Sequence, residues 1–126
     1  MSDATATVAS LKARMASFVA DRSWQRFHTP KNLAMSLAIE AAEVMEHFQW
    51  VDGDGGPAAT VGSPAWAEVR DEVADVLCYL VALAGALDID LDAAMQDKMR
   101  KNEEKYPADV FRAEYEWGDR PRPPSA

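Results

Sequence analysis

Cysteine is almost missing from this 126-residue sequence. Cys78 stands alone, so the chain can form neither an internal disulfide nor a thiolate metal cluster. Histidine is nearly as scarce, with only His28 and His47. β-Branched residues are sparse beside Ala, Leu, Met and Glu, which argues against strands. No apolar run reaches the length of a bilayer; the longest, residues 76–87, falls short. Residues 1–7 lack the basic-then-apolar order of a secretory signal. With the lone thiol, this predicts a soluble cytoplasmic chain with no membrane partner. Positive charge is also short: 13 Lys and Arg face 21 Asp and Glu, for a net charge of −8 and a pI near 4.6. That balance excludes the basic footprint of a nucleic acid binder. It also sets a condition on any phosphate-bearing ligand, because acidic residues could approach one only with cations between them.

What is present reads as helix. Apolar residues at spacings of three and four predict an amphipathic helix over residues 7–21, carrying Val8, Leu11, Met15, Phe18 and Val19. An aromatic and basic connector follows, with Trp24, Phe27 and His28, and Pro30 breaks the chain before the next element. A second helix is expected over residues 31–50. Its apolar surface is so broad that only a narrow strip of Ser36, Glu40, Glu43 and His47 is polar. Such a helix is central in its bundle or covered by a partner subunit. Four of the six glycines fall in residues 51–63 and mark a loop, to which no role is assigned. Ser63 and Pro64 then give a cap and first-turn signal for a third helix ending near Leu87. Its apolar arc holds Val69, Val73, Val76, Leu77, Leu80, Ala84 and Leu87, and the opposite arc holds Glu68, Asp71, Glu72, Asp75 and Tyr79. Asp90 caps a fourth helix that runs to about Lys105 and is stopped by Pro107. The expectation is a single all-α domain over residues 1–126, a four-helix bundle with an extended Pro-rich tail from about residue 108.

Acids three apart on a helix share a face, so Glu40 with Glu43 and Glu72 with Asp75 each form a pair. Such pairs are ordinarily solvated. Here the first pair is set in an otherwise apolar cylinder, where uncompensated charge is costly. If the second and third helices pack antiparallel, four carboxylates converge into an oxygen-only cage suited to magnesium. Di-iron bundles use Glu-x-x-His, but Val44 precedes His47 by three and Gln25 precedes His28 by three. Hard oxygen ligation is therefore favoured over a transition metal.

These residues carry a resemblance. Glu40-x-x-Glu43 followed by Glu72-x-x-Asp75 resembles the MazG-like all-α nucleotide pyrophosphohydrolases, and the flanking segments look like the dCTP pyrophosphatase branch. Those segments are residues 24–28 with 30–33, 48–50, 75–83, 98–102 and 105–107, in the same order and with compatible spacing over about residues 11–107. The resemblance implies a helical protomer assembled as a homodimer or a dimer-based homotetramer. It implies Mg2+ on Glu40, Glu43, Glu72 and Asp75, and hydrolysis of a nucleoside triphosphate, often dCTP or a modified dCTP, to the monophosphate and pyrophosphate. It places Trp24, Trp50 and Tyr79 against the nucleoside and His28 in the same substrate-contacting segment. In the fourth helix it singles out Lys98 and Asn102, whose spacing suits a phosphate clamp. Where animal members usually carry a histidine nine residues before the first of these tryptophans, this chain has Met15, which cannot make the same base-edge hydrogen bonds.

The reaction expected is in-line attack by a metal-activated water, with a motif glutamate able to take its proton and no covalent intermediate. Two other enzymatic readings stay open: a MazG-type triphosphatase of broad or different base specificity, and a phosphoribosyl-ATP pyrophosphatase, against which the aromatic segments argue. A non-catalytic helical scaffold with a vestigial acidic site is the alternative from another class.

Overall fold

In a computed structural model that describes residues 2–112, the chain is all-α. Among those residues no strand occurs. The helices are α1 (Val8–Asp21), α2 (Pro30–Glu46), α3 (Pro64–Ala86), α4 (Leu91–Lys105) and a single turn, α5 (Ala108–Phe111). Short 3-10 turns, Gln25–Phe27 and Gly56–Ala59, lie in the two connections around α2. Two compact units divide the chain, Met1–Ile89 and Asp90–Ala126.

Each of the four long helices starts on a side-chain cap. Thr7 and Ser10 form a reciprocal capping box on α1, with N···O distances of 3.1 and 3.0 Å. Thr29 accepts from the Asn32 amide at 3.3 Å and places Pro30 in the first turn of α2. Ser63 accepts from the Trp66 amide at 3.0 Å and donates back to the Pro57 carbonyl at 2.8 Å, joining the loop to the start of α3. Asp90 accepts from the Ala93 amide at 2.9 Å. These caps satisfy first-turn amides that have no helical partner.

Helix α2 ends at Glu46, four residues short of the expected end at Trp50. From there His47 and Phe48 donate to the carbonyls three residues back, at 3.3 and 3.0 Å, and the chain tightens into a turn. Phe48 bends onto the loop, its ring 3.4 Å from where a side chain at Gly55 would begin. Gly56 has φ +56, and a Cβ there would lie 2.7 Å from a methyl of Val51, so only glycine lets the loop close this tightly.

Within the first unit α3 packs against both α1 and α2. The buried apolar residues among the described ones are Val19 of α1, Leu33 of α2, and Val81 and Ala84 of α3. The apolar arc expected on α3 is therefore only partly core. Ala84 is buried as expected, but Val73, Leu77 and Leu80 are exposed and Val81, outside that arc, is buried. Both buried positions lie in the last two turns of α3 and the exposed ones nearer its start and middle, so burial here varies along the helix as well as around it. On α2 the broad apolar surface is likewise open at Met35, Ile39 and Met45, each more than half exposed.

In the second unit, α4 is a solvated helix on which Arg100 bridges Asp97 at 2.8 Å and Glu104 at 2.9 Å. Tyr106 and Phe111 meet edge to face at 5.4 Å across Pro107. Of the tail expected from about residue 108, the first residues form α5, and residues 113–126 lie outside the described part.

Ser63→Ala removes both the cap of α3 and its tie to Pro57. It should lower unfolding stability by about 1 kcal/mol, read as a shifted midpoint in urea with an unchanged slope.

Candidate active site

The connection between α2 and α3 turns the chain back, and the side chains show the helices to be antiparallel. Along α2 from Glu40 to His47, the partners on α3 step backward from Asp75 and Glu72 to Glu68. This register brings the two acid pairs together. Glu40, Glu43 and Glu72 each present a carboxylate oxygen within 4.8 Å of the others, and all three are half-buried. Asp75 is exposed and stands outside this trio, although its charge is felt by both Glu40 and Glu72.

Crowding changes the acids. Glu40 holds its proton more readily than an ordinary glutamate, first because burial penalises its charge and then because Glu43, Asp75 and Glu72 repel it. Glu72 is raised in the same direction, by burial, by its hydrogen bond and repulsion with Glu43 and by Asp75, while His47 opposes the rise. Oxygen-only donors at this spacing fit a hard divalent ion, which would replace the shared protons as counter-charge.

Asp75 leads from the acids to a cavity of about 500 Å3 between α1 and α3. Its walls include Trp24, Phe18 and Tyr79 with Leu11, Arg14, Met15, Leu77, Cys78 and Val81. Trp24 is held by a local stack. Its ring meets Phe18 edge-on at 5.9 Å, and the Arg22 guanidinium lies 3.7 Å over Phe18. Ser23, at φ +54, makes the sharp reversal that lets the Trp24 amide donate to the Val19 carbonyl at 3.0 Å. Cys78 is half-buried in the wall, its thiol pushed up by burial and by Asp75, so it is a poor nucleophile.

Of the residues singled out in the sequence, Glu40, Glu43 and Glu72 form the cluster, and Asp75, Trp24 and Tyr79 line the adjoining cavity. His28 faces elsewhere: with Lys12, Gln25, Leu33 and Gly85 it lines a second cavity of about 450 Å3, separated from the first by Met15 and Val81, which wall both. Trp50 is 88% exposed in the turn after α2 and lines neither cavity. Lys98 and Asn102 belong to α4 in the second unit, Lys98 exposed and Asn102 half-buried. Sequence reasoning missed Leu11, Arg14 and Phe18 as cavity residues. The stripe of Leu11, Met15 and Phe18 on α1 was visible, but nothing distinguished it from core.

The described residues thus set a half-buried carboxylate cluster that could hold a metal ion between antiparallel helices of an all-α protein, beside a cavity lined in part by aromatic rings. The MazG-like family profile matches residues 35–119, and the chain belongs to that family. Among curated proteins it is 41% identical to human dCTP pyrophosphatase 1 over 109 residues, covering 85% of this chain and 63% of that protein. With mouse dCTP pyrophosphatase 1 it shares 39% over 107 residues, 84% of this chain and 62% of the relative. The chain thus spans less than two-thirds of the length of these relatives. Among solved structures, a pyrophosphatase from Archaeoglobus fulgidus superposes with a TM-score of 0.71 at 40% identity, covering 79% of this chain and 91% of that one.

The raised carboxyls carry a pH signature. An acid whose proton affinity is higher in the folded state contributes stability that is full below its unfolded value, and the contribution is lost as pH rises through the folded value. Both acids start from an ordinary value of 4.5. Metal-free protein should therefore lose thermal stability as pH climbs from that region toward neutrality. Magnesium should raise the melting temperature more at neutral pH than near pH 5, about half a pH unit above the ordinary value. Differential scanning fluorimetry with magnesium or chelator at the two pH values checks both, and Glu40→Gln should flatten the chelated profile.

Proposed function

We propose that the chain is a nucleoside triphosphate pyrophosphohydrolase that releases monophosphate and pyrophosphate, with dCTP or a modified dCTP as substrate, in nucleotide-pool sanitation. The observation that carries this reading is the adjacency of the Glu40, Glu43 and Glu72 oxygens to an aromatic cavity walled by Asp75, Trp24 and Tyr79. The names of the human, mouse and archaeal relatives point the same way.

In this reading Glu40, Glu43, Glu72 and Asp75 hold magnesium. When bound, magnesium supplies charge neutralisation for the phosphates and acidifies a water. The chain's own residues do the rest. Trp24 and Tyr79 stack the base, a contact worth about 1–3 kcal/mol per ring. Phe18 and Arg22 keep the Trp24 ring in place before substrate arrives, which reduces the ordering needed on binding. One motif glutamate accepts the proton of the attacking water. Cys78 takes no part. His28, Trp50, Lys98 and Asn102 join the substrate-binding set on their correspondence to the family's segments.

Met15 in the cavity wall favours a second reading, a related triphosphatase of broader base preference, because a thioether gives no directional base-edge contact. The open apolar sides of α2 and α3 support assembly as a homodimer or homotetramer. No helix among the described residues is long and apolar enough to cross a membrane; a chain whose one cysteine is a free thiol suits a reducing cytoplasm, the location of this reading.

Three measurements test this. A pyrophosphate-release screen over standard and modified nucleotides should find turnover that chelator abolishes and magnesium restores; turnover indifferent to chelator would reject the metal mechanism, and none with any nucleotide would favour a scaffold. Glu43→Gln and Asp75→Asn should each lower kcat by about 100-fold, roughly 2.7 kcal/mol on the barrier, with helical circular dichroism unchanged. Sedimentation should give a dimer or tetramer mass, and Ile39→Arg, which puts charge on the open α2 face, should shift it toward the protomer.

A further inference from the structure

His47 is the first residue beyond α2, and its side chain is 25% exposed. Its two ring nitrogens face two different carboxylates. Nδ1 lies 3.9 Å from a Glu68 oxygen and Nε2 lies 4.0 Å from a Glu72 oxygen. Glu68 and Glu72 are one turn apart on α3, on the same face, so they repel each other. Their surroundings differ: the Glu68 side chain is 70% exposed, while that of Glu72 is 26% exposed. An exposed ion pair would be marginal. This imidazole instead occupies the space between a solvent-facing acid and the single α3 member of the oxygen trio.

We propose that His47 is a positioning residue for Glu72: set between two α3 carboxylates and steadied on its outer side by Glu68, it holds Glu72 turned toward Glu40 and Glu43. The inference rests on the reading of that trio as a cation site. A glutamate side chain has three torsions, and Glu72 must hold one arrangement for the cage to be formed before an ion arrives. Residues that orient a ligand from behind alter cation affinity by about 10–100-fold when removed. The end of α2 is well suited to the task. The backbone at His47 is fixed by its hydrogen bond to the Val44 carbonyl, so the ring is delivered from a defined point.

Mn2+ serves as the probe, with binding read by electron paramagnetic resonance in the absence of nucleotide. His47→Leu, which keeps bulk but no ring nitrogen, should weaken Mn2+ binding about tenfold. His47→Gln, which keeps a polar group of similar reach, should recover most of that loss at a matched melting temperature. Glu68→Ala, at an exposed position that threatens no core, should weaken binding in the wild-type background and add nothing to His47→Leu. In turnover assays the magnesium concentration for half-maximal rate should rise in His47→Leu by the same factor as the Mn2+ constant. Unchanged or tighter Mn2+ binding in His47→Leu, or a Glu68→Ala effect that simply adds to it, would overturn the assignment. If His47→Leu does not fold, an unchanged Mn2+ constant in Glu68→Ala overturns it equally. No Mn2+ binding by the wild-type chain would instead remove the cation site itself, and this inference with it.

Discussion

Packing α2 antiparallel to α3 makes Glu40, Glu43 and Glu72 present oxygens within 4.8 Å of one another, on half-buried side chains. Helices do not adopt such a register for the sake of the acids, which resist it; Glu40 and Glu72 already hold protons more readily than they should. What imposes it is apolar and local. Leu33, Val81 and Ala84 are among the most buried side chains, and the loop closed on Gly56 fixes where Ser63 can start α3. The repulsion is the consequence of hydrophobic packing and a tight turn, and it leaves the cluster in need of a counter-charge. A divalent cation meets that need better than protons at neutral pH.

Helix α3 does two jobs with adjacent parts of its surface. Toward α2 it offers Glu72 to the acid cluster, and toward α1 it offers Leu77, Cys78, Tyr79 and Val81 to the cavity. Asp75 belongs to both neighbourhoods, lining the cavity while its charge reaches the cluster. A ligand with an apolar planar end and an anionic end would span this boundary, the ring against Trp24 and Tyr79 and the charge toward the acids with their cation. That division follows from the three-residue spacing of Glu72 and Asp75 and the four-residue step from Asp75 to Tyr79.

Much of this was legible in the residues. Ser63 with Pro64, Thr7 and Asp90 announced helix starts that the structure keeps, and the paired acids announced a cluster once two helices were taken to be antiparallel. The end of α2 was not legible, because residues 47–50 continue a helical apolar pattern and only the seat that the loop gives Phe48 draws the chain away. Nor was the division of the α3 apolar surface into a buried end at Val81 and Ala84 and an open stretch at Val73, Leu77 and Leu80, since one periodic pattern runs through both. His28 and Trp24 sit four residues apart in one aromatic segment, yet they line different cavities, with the 3-10 turn Gln25–Phe27 between them. His47 looked like one more polar residue on the acidic strip. His47 keeps helical backbone angles, so its place between Glu68 and Glu72 follows from the strip it shares with Glu43 and from the antiparallel run of α3, the second of which periodicity alone does not contain.

The open apolar side of α2 bears on the acids it backs. Met35, Ile39 and Met45 are exposed on the same helix that carries Glu40 and Glu43. In the assembly we propose, a second copy would cover this side and remove water from around α2. Lower local dielectric strengthens repulsion among bare carboxylates and strengthens their attraction for a cation by the same law. Assembly and cation binding are then linked, each raising the free energy gained from the other, and linkage of this kind is reciprocal. On that proposal a thin protomer core and an overcharged site would form one coupled arrangement, the ion relieving the charge that burial makes costly and the partner supplying the burial that the protomer lacks.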